Sequence, residues 1–129
     1  MKKMDDVLRS MTFDFFGSGS HKVSPSAHIS DSDGVVLDVR SKEEYETVAF
    51  PLIHHIPVIH IPIDEIPSRI GEIPNDRNIG TFCSSGVRAT MVYFYLRALG
   101  YDNVRIIEGG YEELVSELKP GKLLKQIKS

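Results

Sequence analysis

Residues 77–99 read Arg-Asn-Ile-Gly-Thr-Phe-Cys-Ser-Ser-Gly-Val-Arg-Ala-Thr-Met-Val-Tyr-Phe-Tyr-Leu-Arg-Ala-Leu, and this stretch decides the fold. Its first part, 79–82, is a short apolar run typical of a buried strand, and it leads into Cys83, the only cysteine of the chain. Beyond a short loop, apolar residues recur at helical spacing, at Val87, Met91, Phe94, Tyr95 and Ala98. The stretch therefore predicts a strand, a tight loop and a helix, with the cysteine at the carboxyl end of the strand.

The loop after Cys83 is suited to an activated thiolate. A loop that enters a helix presents unpaired backbone N–H groups, and small residues such as those at 84–86 let these groups point inward. The helix dipole and an inward Arg88 would add positive potential. We therefore expect a partly exposed nucleophile. The plainer interpretation is a buried core cysteine, since free cysteine is often buried, although a core cysteine needs neither the small residues nor the arginine.

Length and composition indicate a single globular domain. The chain has 129 residues, of which 41% are hydrophobic and 26% charged, and its net charge is −3. No basic run with interleaved aromatic residues suggests nucleic acid binding. A single cysteine excludes an intramolecular disulfide and leaves no internal resolving thiol. An oxidised Cys83 must therefore react with a group on another molecule.

The N-terminal region predicts an appendage rather than a targeting signal. Acidic residues at positions 5 and 6 stand where a signal peptide needs apolar ones, and no apolar run is long enough to span a membrane, so we expect a cytoplasmic protein. The glycine–serine run at 17–20 indicates a connector, which gives an appendage at 1–20 and a domain at 21–129. Three phenylalanines in the appendage should pack on the domain or on a second subunit of a homodimer: Phe13, Phe15 and Phe16.

Strand-like and helix-like segments alternate along the rest of the chain. Strands are predicted at 21–24, 35–39, 58–61, 79–82 and 104–107, and helical segments at 41–49, 64–70, 87–99, 111–118 and 122–128. This order predicts an α/β fold, with a mostly parallel sheet of about five strands flanked by helices on both faces. Sites in such sheets form at the carboxyl ends of the strands. Three segments that follow strands should therefore converge at one edge: residues 38–40, Cys83 and residues 108–110.

The motifs resemble those of a known family. Residues 83–88, Cys-Ser-Ser-Gly-Val-Arg, resemble the Cys-x-x-Gly-x-Arg active-site loop of rhodanese-like sulfurtransferase domains. Residues 36–45 are similar to the amino-terminal signature of that family, 55–62 to its His-Ile-Pro stretch and 100–110 to its closing segment. The four signatures occur in family order, and the resemblance covers about residues 21–118.

This resemblance implies a fold and a reaction. It implies a rhodanese-like domain in which Cys83 carries a persulfide and moves sulfane sulfur from thiosulfate, polysulfide or a protein persulfide to cyanide or a thiol, without metal or organic cofactor. It implies small sulfur donors and thiol acceptors as partners, a protein acceptor among them. Ser84 stands where thiosulfate-using members often carry arginine or lysine, which weakens the case for that dianion. The loop residues implied to hold the persulfide are Ser84, Ser85, Gly86, Val87 and Arg88, and the supporting residues are Asp38, Arg40 and His55.

Other interpretations remain open at this point. A sulfur carrier or regulatory binding module would share the same cysteine, and a redox sensor would oxidise it to a sulfenic acid and then a mixed disulfide. The related phosphatase loops have five residues between cysteine and arginine, whereas this chain has four. Asp38 and Arg40 have a purely structural alternative, an ion-pair network beside the strand end with Glu44 as the partner of Arg40. The histidines at 54, 55 and 60 show no metal-ligand spacing.

Overall fold

The computed structural model describes residues 4–47 and 56–110. The strands within these residues are Lys22–Val23 (β1), Gly34–Asp38 (β2), Val58–His60 (β3), Asn78–Phe82 (β4) and Val104–Ile107 (β5). They pair in parallel as one sheet, in the spatial order β1-β5-β4-β2-β3. This confirms the predicted α/β fold with a parallel sheet of five strands.

The helices in the same residues are Met4–Ser10 (α1), Phe13–Gly17 (α2), Pro25–Ile29 (α3), Lys42–Thr47 (α4) and Val87–Ala98 (α5), with 3₁₀ turns at Ile63–Glu65 and Pro67–Glu72. The sequence did not predict α3, because five residues are too few to show a helical period. Its cap follows the usual chemistry, since the Ser24 hydroxyl accepts a hydrogen bond from the Ala27 N–H and Pro25 opens the helix. The helices predicted at 111–118 and 122–128 lie outside the described residues.

The two faces of the sheet carry separate apolar clusters, because neighbouring residues of a strand point to opposite sides. The larger cluster lies between the sheet and α5 and includes Leu37, Ile79 and Leu96. The smaller cluster, on the other face, consists of Ile29, Val36, Ile56, Phe82 and Ile107. The central strands are therefore covered on both sides, which explains why β2 reads as a continuous apolar run.

Helix α5 buries a different face from the one its apolar residues suggest. Its buried residues are Ala89, Val92, Tyr93 and Leu96. Val87 and Met91, which help to identify the helix in the sequence, are each 59% exposed. Apolar side chains occur on several sides of this helix, so periodicity predicts its presence but not which side meets the sheet.

The N-terminal helices pack on the rest of the domain. Val7 of α1 is fully buried, Met11 and Phe15 pack against the larger apolar cluster, and the Arg97 guanidinium lies 5.6 Å from the centre of the Phe15 ring. Phe13 is 90% exposed. The division of the chain at residue 20 and the homodimer stay predictions. None of the helices in residues 4–47 and 56–110 has the length and apolar character that crossing a membrane requires.

Candidate active site

The carboxyl ends of β2 and β4 bring two of the predicted segments together. Asp38 and Phe82 are direct partners in the sheet, and the Val39 N–H donates to the Phe82 carbonyl at 2.9 Å. Residue 83 therefore begins its loop beside residues 38–40. The third segment arrives from β5, and Gly110 lies against the backbone of Ser84. The predicted convergence at one edge of the sheet is confirmed.

The Cys83 sulfur accepts two backbone hydrogen bonds from its own loop. The Gly86 N–H donates to Sγ at 3.1 Å and the Ala89 N–H at 3.2 Å. Gly86 has a φ of +93°, a left-handed conformation that glycine adopts without strain, and it caps α5. Ala89 is fixed in turn, because the Thr81 hydroxyl donates to its carbonyl at 3.0 Å.

This geometry favours negative charge on the sulfur. The two donors belong to the first turn of α5, where backbone N–H groups are unpaired and the helix dipole is positive. A neutral core thiol has little need of two such donors, whereas a thiolate or a persulfide anion gains from both. The expectation of a partly exposed thiol is wrong, because Cys83 is only 1% exposed and belongs to the larger apolar cluster.

Arg88 pairs with a carboxylate that the sequence did not place at the site. Its Nη1 donates to Glu44 Oε1 at 2.6 Å and its Nη2 to Glu44 Oε2 at 3.0 Å, which makes a bidentate ion pair. The hydrogen bonds that Arg88 donates to Glu44 raise the pKa of Arg88, and the nearby Cys83 and Asp38 add to this effect by Coulomb attraction. The guanidinium therefore stays charged and is held at the start of α5.

Glu44 joins helix α4 to the cysteine loop. The Ser84 hydroxyl donates to Oε2 at 2.8 Å, while the Ser41 N–H and hydroxyl donate to Oε1 at 3.1 and 3.0 Å. The Ser41 hydroxyl also accepts from the Glu44 N–H, which completes a capping box. The hydrogen bonds from Arg88, followed by those from Ser84 and Ser41, hold the pKa of Glu44 far below its ordinary value against the opposing effect of burial.

Asp38 and Arg40 form a buried ion pair directly beside the cysteine strand. Arg40 Nη2 lies 2.7 Å from Asp38 Oδ2, and the two side chains are 2% and 1% exposed. Arg40 Nε also donates to both carboxylate oxygens, at 3.0 and 3.1 Å. The suggested partnership of Arg40 with Glu44 is wrong, because the chain turns so that Arg40 folds back onto the strand end and over the Phe82 ring.

His60 anchors this network from the neighbouring strand. Its Nε2 donates to the Arg40 carbonyl at 2.8 Å, and its ring stacks on Tyr45 with 4.0 Å between the ring centres. The other histidine predicted for the site, His55, lies outside the described residues. In residues 4–47 and 56–110, no three or more histidine, cysteine or acidic side chains are grouped so that they could hold a metal ion.

The remaining loop residues lie at the surface. Ser84, Ser85 and Val87 are exposed, and the two amides that donate to Sγ belong to Gly86 and Ala89. Ser84 acts through its hydroxyl, which contacts Glu44. Sequence reasoning missed Ala89 and Glu44 as site residues. The spacing Ser41-x-x-Glu44 signals a capping box, but nothing in it indicates that the same carboxylate also reaches Arg88.

Comparison with known proteins places these features in context. A family model described as a rhodanese-like domain matches residues 26–117. A sulfurtransferase from Allochromatium vinosum is 33% identical over 88 residues, which cover 67% of this chain and 78% of that protein. A tRNA sulfurtransferase from Mannheimia succiniciproducens is 34% identical over 89 residues, which cover 69% of this chain but only 18% of that protein.

Solved structures agree on the fold. The crystal structure of a rhodanese-related protein from Thermoplasma volcanium superposes with a TM-score of 0.65 and a sequence identity of 24%. The match covers 78% of this chain and 95% of that one. At this identity the likeness bears on the fold alone.

Proposed function

The chain belongs to the rhodanese-like family, and we propose that it is a sulfurtransferase that carries sulfane sulfur as a persulfide on Cys83. The observation that carries the proposal is the pair of N–H donors, from Gly86 and Ala89, that converge on Sγ. Sulfur transfer of this kind needs an anionic sulfur held in place through two half-reactions, and these donors support that charge in both.

In the first half-reaction the Cys83 thiolate attacks the outer sulfur of a donor. A new Sγ–S bond forms, and the electron pair of the broken S–S bond leaves with the rest of the donor. With thiosulfate the leaving group is sulfite and the product is an anionic persulfide, so charge and atoms balance. With an alkyl persulfide the leaving group is a thiolate. No external oxidant or reductant takes part.

In the second half-reaction a nucleophile takes the outer sulfur. Cyanide attacks that sulfur, the Sγ–S bond breaks towards Sγ, and thiocyanate leaves while the Cys83 thiolate is restored. A thiol in its thiolate form reacts in the same way and becomes a persulfide. The Gly86 and Ala89 amides face Sγ, where charge returns as the bond breaks, so they stabilise the leaving thiolate of the enzyme.

The burial of Cys83 restricts which donors fit. A residue that is 1% exposed is reached by a small molecule or by a sulfur that projects from a larger one. Thiosulfate, inorganic polysulfide and the terminal sulfur of a protein persulfide all meet this condition. We propose these as donors, and cyanide and thiols as acceptors, among them a cysteine of a partner protein.

The alternative is a sulfur carrier or protein-binding module without its own turnover. The burial of Cys83 favours the carrier, because an enclosed thiol can hold a persulfide whose outer sulfur only one partner removes. The two functions differ in turnover with small substrates. A carrier accepts one sulfur and stops, whereas an enzyme cycles.

Steady-state thiocyanate formation from thiosulfate or polysulfide and cyanide tests the proposal. We expect multiple turnovers and parallel double-reciprocal lines, the pattern of a ping-pong reaction. Cys83→Ser should abolish turnover while leaving the far-ultraviolet circular dichroism spectrum unchanged. Retention of full activity in Cys83→Ser would rule out the proposed intermediate. A single stoichiometric burst without turnover would favour the carrier.

A further inference from the structure

The two arginines at the site are both neutralised by their own carboxylates. Arg88 is held by Glu44 through two hydrogen bonds, and Arg40 is held by Asp38 within the protein interior. The charges of each pair largely cancel for a molecule that approaches from outside. An incoming donor therefore meets backbone N–H groups and the positive end of the α5 dipole. These two arginines present no uncompensated positive charge to it.

Glu44 and Arg88 form the partly exposed pair of this set. The side chain of Glu44 is 37% exposed and that of Arg88 is 30%, whereas the Asp38–Arg40 pair is almost fully buried. Glu44 also binds the hydroxyl of Ser84, the first residue after the cysteine. Its negative charge therefore stands beside the loop, at a place where a donor would experience it.

We propose that Glu44 sets the charge of the sulfur donor that the site accepts. With Glu44 in place, the loop favours a neutral or singly charged donor, such as an alkyl persulfide, over the thiosulfate dianion. The inference rests on the proposed sulfur transfer and names the donor class for it. Glu44 acts through Arg88 and touches no reacting atom, so it is a specificity-determining residue rather than a catalytic one.

The reaction itself explains why charge distinguishes these donors. Attack on thiosulfate brings a thiolate against a dianion, so three negative charges gather at the loop and remain there as a persulfide anion and sulfite. Attack on an alkyl persulfide gathers one negative charge when the persulfide is protonated and two when it is ionised, and in both cases the alkyl thiolate leaves. A free guanidinium beside the loop would assist the first reaction far more than the second, and Glu44 removes that assistance.

The test compares loading rates of two donors on Glu44→Gln. The second-order rate of sulfur addition to Cys83 is measured by rapid quench and intact mass, with thiosulfate and with 2-hydroxyethyl persulfide as the two probes. We expect the thiosulfate-to-persulfide rate ratio to rise about tenfold in Glu44→Gln, at the lower end of what electrostatic steering achieves. The increase should shrink at high ionic strength.

Two control variants separate charge at this position from other effects. Glu43→Gln removes the same charge from the same helix at an exposed side chain, and it should leave the ratio unchanged. The double variant Glu44→Gln, Arg88→Gln lacks the freed guanidinium, so its ratio should return close to that of the wild type. An equal rise in Glu43→Gln would show that only net charge matters and would overturn the inference.

Three further outcomes would contradict either this inference or the proposed function. If both donors slow together in Glu44→Gln and the ratio stays constant, Glu44 only positions the loop and the inference is wrong. If Glu44→Gln does not fold, the wild type still tests it: thiosulfate loading that accelerates markedly at low ionic strength would reveal an unpaired cation facing the donor and contradict the inference. Failure of both donors to load the wild type would instead overturn the proposed function itself.

Discussion

The backbone of Gly110 lies so close to Ser84 that a Cβ atom at position 110 would stand 2.5 Å from the Ser84 carbonyl oxygen. The same atom would lie 3.3 Å from the Cys83 carbonyl oxygen. The backbone of the turn after β5 therefore packs directly against the backbone of the cysteine loop and supports it. The shape of the loop depends on a residue that is distant in sequence and takes no part in the chemistry.

Gly110→Ala should displace the loop and slow sulfur loading. The added Cβ collides with backbone that has no flexible end to move, so Ser84 and the N–H groups beyond it must shift. Because misplacement by about 1 Å can cost up to a hundredfold in rate, we expect loading to fall by about tenfold to a hundredfold. The rate of sulfur addition to Cys83 measures this effect.

Gly100→Ala is the matched control for that change. Gly100 also has a positive φ, +100°, but nothing lies within 4 Å of the position its Cβ would take. The substitution should lower stability by about 1–2 kcal/mol through backbone strain and leave the loading rate unaltered. If Gly110→Ala loads sulfur as fast as Gly100→Ala, the turn does not support the loop.

Removal of the Asp38 carboxylate should destabilise the protein strongly. Asp38→Ala leaves Arg40 buried at 2% exposure without its carboxylate, and breaking a buried ion pair in this way costs about 3–5 kcal/mol. Urea unfolding gives the free-energy change. Asp76→Ala, at an exposed position, should change stability by less than about 0.5 kcal/mol.

Replacing both partners distinguishes an ion pair from simple packing. The double variant Asp38→Leu, Arg40→Met removes both charges of this pair, so we expect it to be more stable than Asp38→Leu alone. A double variant that is less stable than the single one would show that Arg40 stabilises the fold mainly through contacts other than Asp38.

His28 should make the fold sensitive to mild acid. Its side chain is 3% exposed, its Nε2 donates to the Val35 carbonyl at 2.9 Å, and burial lowers its pKa below the ordinary 6.5. The unfolded chain takes up a proton on this residue at a higher pH than the folded chain does. The stability it contributes is therefore complete above about pH 6.5 and declines as the pH falls below that value.

Thermal unfolding between about pH 7.5 and pH 5 measures this dependence. In His28→Gln the part of the decline that begins near pH 6.5 should disappear, although the variant is less stable throughout. The space at this position is tight, because a Cβ added at Gly80 would stand 2.7 Å from His28 Nε2. Parallel profiles for the wild type and His28→Gln would show that the lowered pKa has no consequence for stability.

The sequence predicts the fold well because its signals are local. A β-branched or apolar run bounded by turns marks each central strand, and Cys83 follows such a run directly. Parallel pairing then places the ends of β2 and β4 side by side, so the position of the site follows from topology. These inferences need no knowledge of side-chain packing.

The missed features depend on packing across long separations. Glu44 and Arg88 meet only because α4 and the start of α5 lie at the same edge of the sheet, and no spacing in the sequence encodes that meeting. The burial of Cys83 likewise follows from its place in the larger apolar cluster, whose members come from distant parts of the chain. The residue types around Cys83 predict a more exposed thiol than the structure shows.

Intact mass spectrometry of the persulfide on Cys83 tests the central claim most directly. The protein is incubated with an excess of polysulfide or thiosulfate, freed of the donor, weighed, and weighed again after addition of cyanide. We expect a gain of one sulfur, about 32 Da, that cyanide removes with release of thiocyanate and that Cys83→Ser never shows. No gain with either donor, or a gain that persists in Cys83→Ser, would contradict it.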